Sequence, residues 1–416
     1  MSDKIKIFTI SDHPLSPSGV GTQTRYMIEG MLKTGKYEFV SFGGAISHPD
    51  HNPQKTEKWG EDWIIWPVDG YGSPDQVRAM VGQQKPDILW FMTDPRFYEW
   101  LWGIENEVRP QVPMVYYHVW DNYPYPKFNK PFYDSNDHIA CISKLTYDIV
   151  KNVAPDVDSS YVPHAVDTDI FKKLDSEVVS SFTKERFDED KFYFFWNNRN
   201  ARRKQSGSLI FWFKTFLDEV GHDKACLIMH TEPKDPNGQD LNAIISELGL
   251  TDGQVLFSRE KMETPGLAML YNAIDCTINI SDAEGFGLAT LESLACEKPI
   301  IVNLTGGMQD QITDGTTTFG IGIDPVSKAV IGSQNVPYIY EDRLAEADVV
   351  NAMKEMFYKS QAERDELGRL GREYVLKQFN FETFLDRWDT LLTKIYDEKG
   401  SWENRAGYKS YGVEVL

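Results

Sequence analysis

Ser281-Asp282-Ala283-Glu284-Gly285-Phe286-Gly287-Leu288-Ala289-Thr290-Leu291-Glu292-Ser293-Leu294-Ala295-Cys296-Glu297-Lys298-Pro299 passes from strand end through turn to helix. The β-branched run before it, Cys276-Thr277-Ile278-Asn279-Ile280, is expected to be a buried strand. Gly285 and Gly287 permit a sharp turn that leaves amides uncovered. From there Leu288, Leu291, Leu294 and Ala295 recur at helical spacing, and Pro299 with Ile300-Ile301-Val302 marks a stop and the next strand. A strand, a glycine turn and a helix N-terminus form an anion site, because unpaired amides and the positive end of the helix dipole point beyond the carboxyl edge of the sheet.

Two carboxylates flank this site, Glu284 before the glycines and Glu292 inside the helix, with seven residues between them. A site for a bare phosphate has no use for them, so their expected work is to accept hydrogen bonds from the hydroxyls of a polyol. The pocket then suits a sugar carried on a phosphate. With Glu284-Gly285-Phe286-Gly287-Leu288 and Glu292, the chain resembles the retaining glycosyltransferases of family 4, whose hallmark is a Glu, seven residues, then a Glu. The bland alternative is an ordinary strand-to-helix turn with surface acids.

The chain has 416 residues, 41% of them hydrophobic and 25% charged, more than one core usually supports, so two domains are expected. Cys141, Cys226, Cys276 and Cys296 are too scattered for a disulfide framework or zinc motif, which fits a reducing cytosol. No apolar run approaches the roughly 18 residues of a membrane span, and a cytoplasmic location is expected. A net charge of −20 sets the surface as a whole against nucleic acid and anionic lipid.

The first strand is expected over Ile5 to Ile10, then a loop with Ser18-Gly19-Val20-Gly21 and a helix from about Thr22 to Leu32. Further strand-like segments at Phe39–Phe42, Trp63–Trp66, Ile88–Phe91, Met114–Tyr117 and His138–Cys141, with helical stretches between several, argue for an open, mostly parallel sheet. The resembled family carries a Gly-Gly-Val-Gly loop after its first strand. Ser18 replaces the first glycine here, so contact with a donor diphosphate is implied for Gly19 and Gly21 only. His118 closes a strand at the edge where ligands bind, and the resemblance places a histidine near the transferred sugar there. Trp120 and Tyr123, with Tyr125, are acceptor candidates. His164, in Val162-Pro163-His164-Ala165-Val166-Asp167, resembles a family segment read as scaffolding.

The charged, strand-poor stretch from Lys172 to Lys191 is expected to be a linker. After it Phe192–Trp196 starts a second sheet, and Asn197-Asn198-Arg199-Asn200-Ala201-Arg202-Arg203-Lys204-Gln205 is the dense cationic run in an acidic chain. The family analogue is Gly-Arg followed five residues after the Arg by Lys, both holding the diphosphate. Arg199 and Lys204 keep that spacing, with Asn198 where the glycine would be. The loop Ser258-Arg259-Glu260-Lys261-Met262 corresponds to the family's base-reading loop, and Thr305-Gly306-Gly307-Met308 is a further glycine turn after strand Ile300 to Asn303, expected to face the leaving sugar. Helices are expected over 345–357, 361–379 and 381–396, the last returning to the first domain. The tail from Lys399 carries no reading.

The fold class is therefore α/β, a GT-B arrangement of two Rossmann-like domains facing a central cleft, with residues 1–175 on the acceptor side, 176–380 binding nucleotide sugar, and 381–416 forming the returning helix and tail. The resemblance implies transfer of a sugar from a nucleotide-diphosphate sugar to an acceptor hydroxyl with retention. Expected roles are His118, Glu284, Arg199 and Lys204 at the reaction, and Gly19, Gly21, Arg259, Gly285, Phe286, Gly287, Leu288 and Glu292 at the donor. No Asp-x-Asp metal motif stands at a strand end, so no metal and no cofactor beyond the donor are expected. The acceptor stays open between a small molecule, a lipid head group, a saccharide and a hydroxylated DNA base of the phage kind, the last opposed by the acidic charge. A non-catalytic binding protein on the same fold is the third reading.

Overall fold

Apolar runs too short for helices and buried on both faces build two parallel sheets in separate units of the chain. The computed structural model describes residues 4–259 and 262–408. One unit comprises Met1–His164, Gly332–Tyr338 and Glu382–Leu416, and the other comprises Ala165–Ile331 and Ile339–Phe381.

In the first unit the strands lie in the order Gln54–Lys55, Trp63–Pro67, Tyr37–Gly44, Ile5–Asp12, Ile88–Thr93, Met114–His118, His138–Cys141, Ser159–Tyr161. All neighbours are parallel except Gln54–Lys55. Ile7, Phe8, Ile10, Leu89, Trp90 and Phe91 are fully buried, as an inner strand pair requires. Strand order reverses between Ile5–Asp12 and Ile88–Thr93, which opens a crevice at their carboxyl ends. The first helix runs from Gly19 to Lys33, three residues earlier than its periodicity suggests, because Ser18 caps it by accepting from the Gly21 amide at 3.0 Å.

The helix Phe381–Lys399 buries Phe384, Trp388, Leu391, Leu392 and Ile395 along one stripe. Trp388 wedges edge-on against Trp90 at 5.8 Å and Tyr117 at 4.8 Å, and Leu385 lies so close to Gly30 that a Cβ there would meet it at 2.0 Å. Residues 401–405 then dock under the amino ends of the strands. Arg405 bonds Asp137 at 2.6 Å, Asp137 pairs with Arg109 at 3.1 Å, and Arg109 reaches Glu105 at 3.1 Å.

In the second unit six parallel strands follow the order Val255–Ser258, Ala225–His230, Phe192–Asn197, Cys276–Asn279, Ile300–Asn303, Gly320–Ile323. Phe194, Trp196, Phe213 and Phe216 fill its core, with Phe194 edge-on to both helical rings. Strand order reverses between Phe192–Asn197 and Cys276–Asn279, so the basic loop and the glutamate turn emerge at one switch point. The stretch expected to be a linker is not wholly irregular. It contains a helix, Ser176–Thr183, and Asn272 ties its approach to this unit by accepting from the Leu174 amide and donating to the Lys172 carbonyl, both at 2.9 Å. An antiparallel pair, Ser327–Ile331 with Ile339–Arg343, was not legible as strands.

Candidate active site

Strand Cys276–Asn279 delivers the chain into the turn that precedes helix Leu288–Ala295. Gly287 is the N-cap with φ of 91°, where a side chain would be strained, and no side chain caps the first turn. Gly306 and Gly307 press on this turn. A Cβ on Gly306 would lie 1.7 Å from the Glu284 carbonyl oxygen, and the Gly307 amide donates to that oxygen at 3.0 Å. The expected sugar-facing role of this second glycine turn is thus joined by a packing reason. Phe286 is buried, its ring 5.8 Å from Phe379 and edge-on.

The Glu284 carboxylate is buried against the Lys204 ammonium and also accepts from the Asn279 amide at 3.4 Å. Burial works to raise this carboxyl, but Lys204 and Arg203 outweigh it and hold it below the ordinary range. Lys204 ends a short 3₁₀ turn, Arg202–Lys204, whose backbone reaches the glutamate turn directly. The Asp282 amide donates to the Arg203 carbonyl at 2.8 Å, and the Arg203 guanidinium donates to the Ala283 carbonyl at 2.6 Å. Arg203 was not singled out from the sequence; its place in the cationic run was the available signal.

Arg199 stands apart from that pair. Buried Asn200 donates to the Pro233 and Gln239 carbonyls, which pins the loop over Gly238. Arg199 then turns outward and grips Asp235 with bonds of 2.7 and 3.1 Å, its side chain 64% exposed. The Arg side-chain bonds pull the Asp235 carboxyl down to about 2. The shared role expected for Arg199 and Lys204 therefore requires Arg199 to leave Asp235.

Glu292 accepts from the Tyr271 hydroxyl at 2.8 Å, and Tyr271 accepts from the Asn197 amide at 3.0 Å. Burial raises the Glu292 carboxyl to about 7, the tyrosine bond opposing it. Tyr271 is not among the residues singled out from the sequence. Leu288 and Gly285 stay partly exposed. Arg259 is exposed beside the Phe257 ring at 5.9 Å. Glu260 and Lys261 of the same loop lie outside the described residues.

In the first unit the expected residues lie in different settings. His118 is fully buried, its ring nitrogens bonded to the Tyr116 hydroxyl at 3.1 Å and the Tyr133 hydroxyl at 2.8 Å, and desolvation lowers it to about 3. It is a neutral core histidine in this structure, with no open face for a sugar. Trp120 is also buried, its indole N–H donating to the Asn122 carbonyl at 2.7 Å. Tyr123 and Tyr125 keep surface and share one acceptor, Asp148, at 2.9 and 3.0 Å. Gly19 is exposed in the first helical turn, but the Gly21 amide is taken by Ser18. Ser18 in turn donates to Asp12 at 2.6 Å, and Tyr71 donates to the same carboxylate at 2.8 Å. His164 bonds the Tyr117 hydroxyl at 2.7 Å inside the core.

Residues 180–332 match the family model described as Glycosyl transferases group 1. A D-inositol 3-phosphate glycosyltransferase of Arthrobacter sp. is 31% identical over 113 residues, 27% of this chain and 26% of that protein. One from Kribbella flavida is 38% identical over 72 residues, 17% of each. The matched segments thus span about a quarter or less of those curated relatives. Across 95% of this chain, sucrose-phosphate synthase from Thermosynechococcus elongatus superposes with a TM-score of 0.76 at 15% identity, covering 100% of that structure. Anabaena HepE in complex with UDP and glucose gives 0.68 at 13% identity, with 94% of this chain and 100% of that one covered. The buried Glu284–Lys204 pair thus sits within a glycosyl transferases group 1 segment, in a chain built as the two Rossmann-like domains of the GT-B fold.

Proposed function

We propose that this protein transfers a sugar from a nucleotide-diphosphate sugar to an acceptor hydroxyl, with retention at the anomeric carbon and without a metal ion. The observation that carries this reading is the Lys204–Glu284 pair beside the uncapped first turn led by Gly287. A cation, uncovered amides and a carboxylate together suit a diphosphate joined to a polyol; a bare phosphate site would exclude the carboxylate. Lys204, Arg203 and the helix N-terminus stabilise charge as it gathers on the departing diphosphate. Glu284 holds hydroxyls of the sugar as its ring becomes oxocarbenium-like, and Glu292, oriented by Tyr271, holds the ribose. The acceptor attacks from the face the diphosphate leaves, and a diphosphate oxygen takes its proton.

Acceptor recognition is assigned to the loop with Tyr123 and Tyr125, whose rings remain at the surface of the first unit. The net charge of −20 opposes duplex DNA as that acceptor. The test is release of nucleoside diphosphate from a panel beginning with UDP-glucose, together with thermal shift by UDP, GDP and ADP. No shift and no release with any donor would favour the non-catalytic reading.

A further inference from the structure

The antiparallel pair Ser327–Ile331 and Ile339–Arg343 lies beside the glutamate turn and contributes none of the residues assigned to the donor. Its second strand nevertheless meets that turn by backbone and side chain. The Asp342 amide donates to the Asp282 carbonyl at 2.9 Å. Asn303 donates to the Ser281 carbonyl at 2.9 Å and to the Asp342 carbonyl at 3.3 Å, and Thr305 donates to the Asp342 carboxylate at 2.7 Å.

Four charges complete the joint. Glu341 and Asp282 are each only 3% exposed. Arg202, from the cationic loop, forks onto Glu341 at 2.8 and 2.5 Å. Arg343 bridges the two acids, donating to Asp282 and, at 3.1 Å, to Glu341. Asp282 also accepts from the Gln205 side-chain amide. Gln205 follows Lys204 directly and holds φ at 56°, a left-handed conformation that a residue other than glycine keeps only when its surroundings impose it. The network therefore joins the loop that ends in Lys204 to the turn that contains Glu284.

We infer that Arg343 and Glu341 are positioning residues of the donor site, holding the Arg202–Gln205 loop and the Ser281–Glu284 turn in the register that brings Lys204 to Glu284. The inference rests on the proposed donor reading for its kinetic consequence, while its structural consequence stands alone. Removing Arg343 leaves Asp282 a buried carboxylate without its principal cation. The turn can then relieve that charge by opening to water or by taking up a proton on the carboxyl. Burial already pushes the Asp282 carboxyl up to about 6, with Glu341 adding to the rise and Gln205, Arg343 and Arg202 restraining it.

The test compares Arg343→Met, Arg343→Lys and the double variant Arg343→Met with Asp282→Asn, on the full chain at pH 7.5. Hydrogen exchange should quicken at least tenfold in residues 280–287 and 202–206 of Arg343→Met, with the sheet amides of Phe192–Asn197 unchanged. Lysine should restore much of the protection, and the double variant should recover it by removing the stranded charge. Turnover of whichever donor the wild type uses should fall about tenfold in kcat for Arg343→Met, with UDP affinity by calorimetry changed less than threefold. Unchanged exchange in both segments would overturn the inference, as would a general rise across the whole unit. If the exchange pattern appears but the wild type neither binds UDP nor turns over a nucleotide sugar, the joint holds and the donor reading fails.

Discussion

The Lys204 ammonium lies against the Glu284 carboxylate with both side chains about nine-tenths buried, 10% and 11% exposed, so the site holds its own counter-ion before any diphosphate arrives. Under the proposed reading, an entering phosphate shares Lys204 with Glu284, and the glutamate turns part of its bonding toward the sugar. Glu284→Gln removes the competing charge but keeps a hydrogen-bonding side chain. Affinity for free UDP should stay level or rise a few-fold while kcat drops roughly ten- to a hundredfold, since the lost contact strengthens in the transition state. Calorimetry with UDP beside steady-state rates checks this, and a fall in UDP affinity would reverse the assignment of Glu284 to the sugar.

Glu292 carries a pH signature. Its folded value of about 7 lies above the ordinary 4.5, so the folded state binds its proton more tightly than the unfolded state. The stability that Glu292 contributes is then greatest below about pH 4.5 and is lost as pH rises through 7. Glu292→Gln does not titrate, so it should be more stable than wild type by about 1–3 kcal/mol at pH 8, with the advantage gone at pH 4.5. The same variant should bind UDP about tenfold more weakly through the lost ribose bond. Thermal denaturation across that pH range would expose the assignment as wrong if the difference were constant.

Asp235 holds Arg199 away from Lys204. Asp235→Asn weakens that grip without altering the cationic loop, and UDP affinity should rise about two- to fivefold as Arg199 becomes available to phosphate. Arg199→Ala should lower it. Equal affinity in both variants would remove Arg199 from the donor site and leave Lys204 and Arg203 as its cations.

The tail ion pair is structural. The Arg405 and Asp137 side chains are 3% and 4% exposed, and Arg109 remains beside Asp137 when Arg405 is lost. Arg405→Met should therefore cost about 2–4 kcal/mol in urea denaturation, less than a wholly unpaired buried acid would. A loss under 0.5 kcal/mol would mean that the tail leaves this pocket readily.

Under the proposed reading, in which Lys204, Arg203 and helix amides meet the charge on the diphosphate, turnover should survive excess EDTA. Abolition by EDTA and recovery with Mg²⁺ or Mn²⁺ would require a metal in the mechanism.

The route from sequence to site was uneven, and particular residues show why. Glu284, Glu292 and the glycine turn were legible because strand, turn and helix follow one another within a few residues. Lys204 was legible for the same reason, at the end of a cationic run opening a helix. His118 shows what spacing leaves out: a histidine at a strand's carboxyl end is well placed for ligands, and the fold brings Tyr116 and Tyr133 onto its ring from the same strand and from a later helix. Trp120, an acceptor candidate from the sequence, is buried against the Phe128 ring with its indole N–H on the Asn122 carbonyl.

What the sequence by itself determined is the alternation of buried strands and helices, the two sheets that follow from it, and the glycine turn with its flanking acids. Each element is a property of spacing within about twenty residues, and the alternation is their order along the chain. The tertiary structure alone decided which charges meet: Lys204 with Glu284, Arg199 with Asp235, Arg343 with Asp282, Arg405 with Asp137. These partners lie tens to hundreds of positions apart. Their choice depends on strand order and on which loops the switch point brings together, and no periodicity in the chain encodes it.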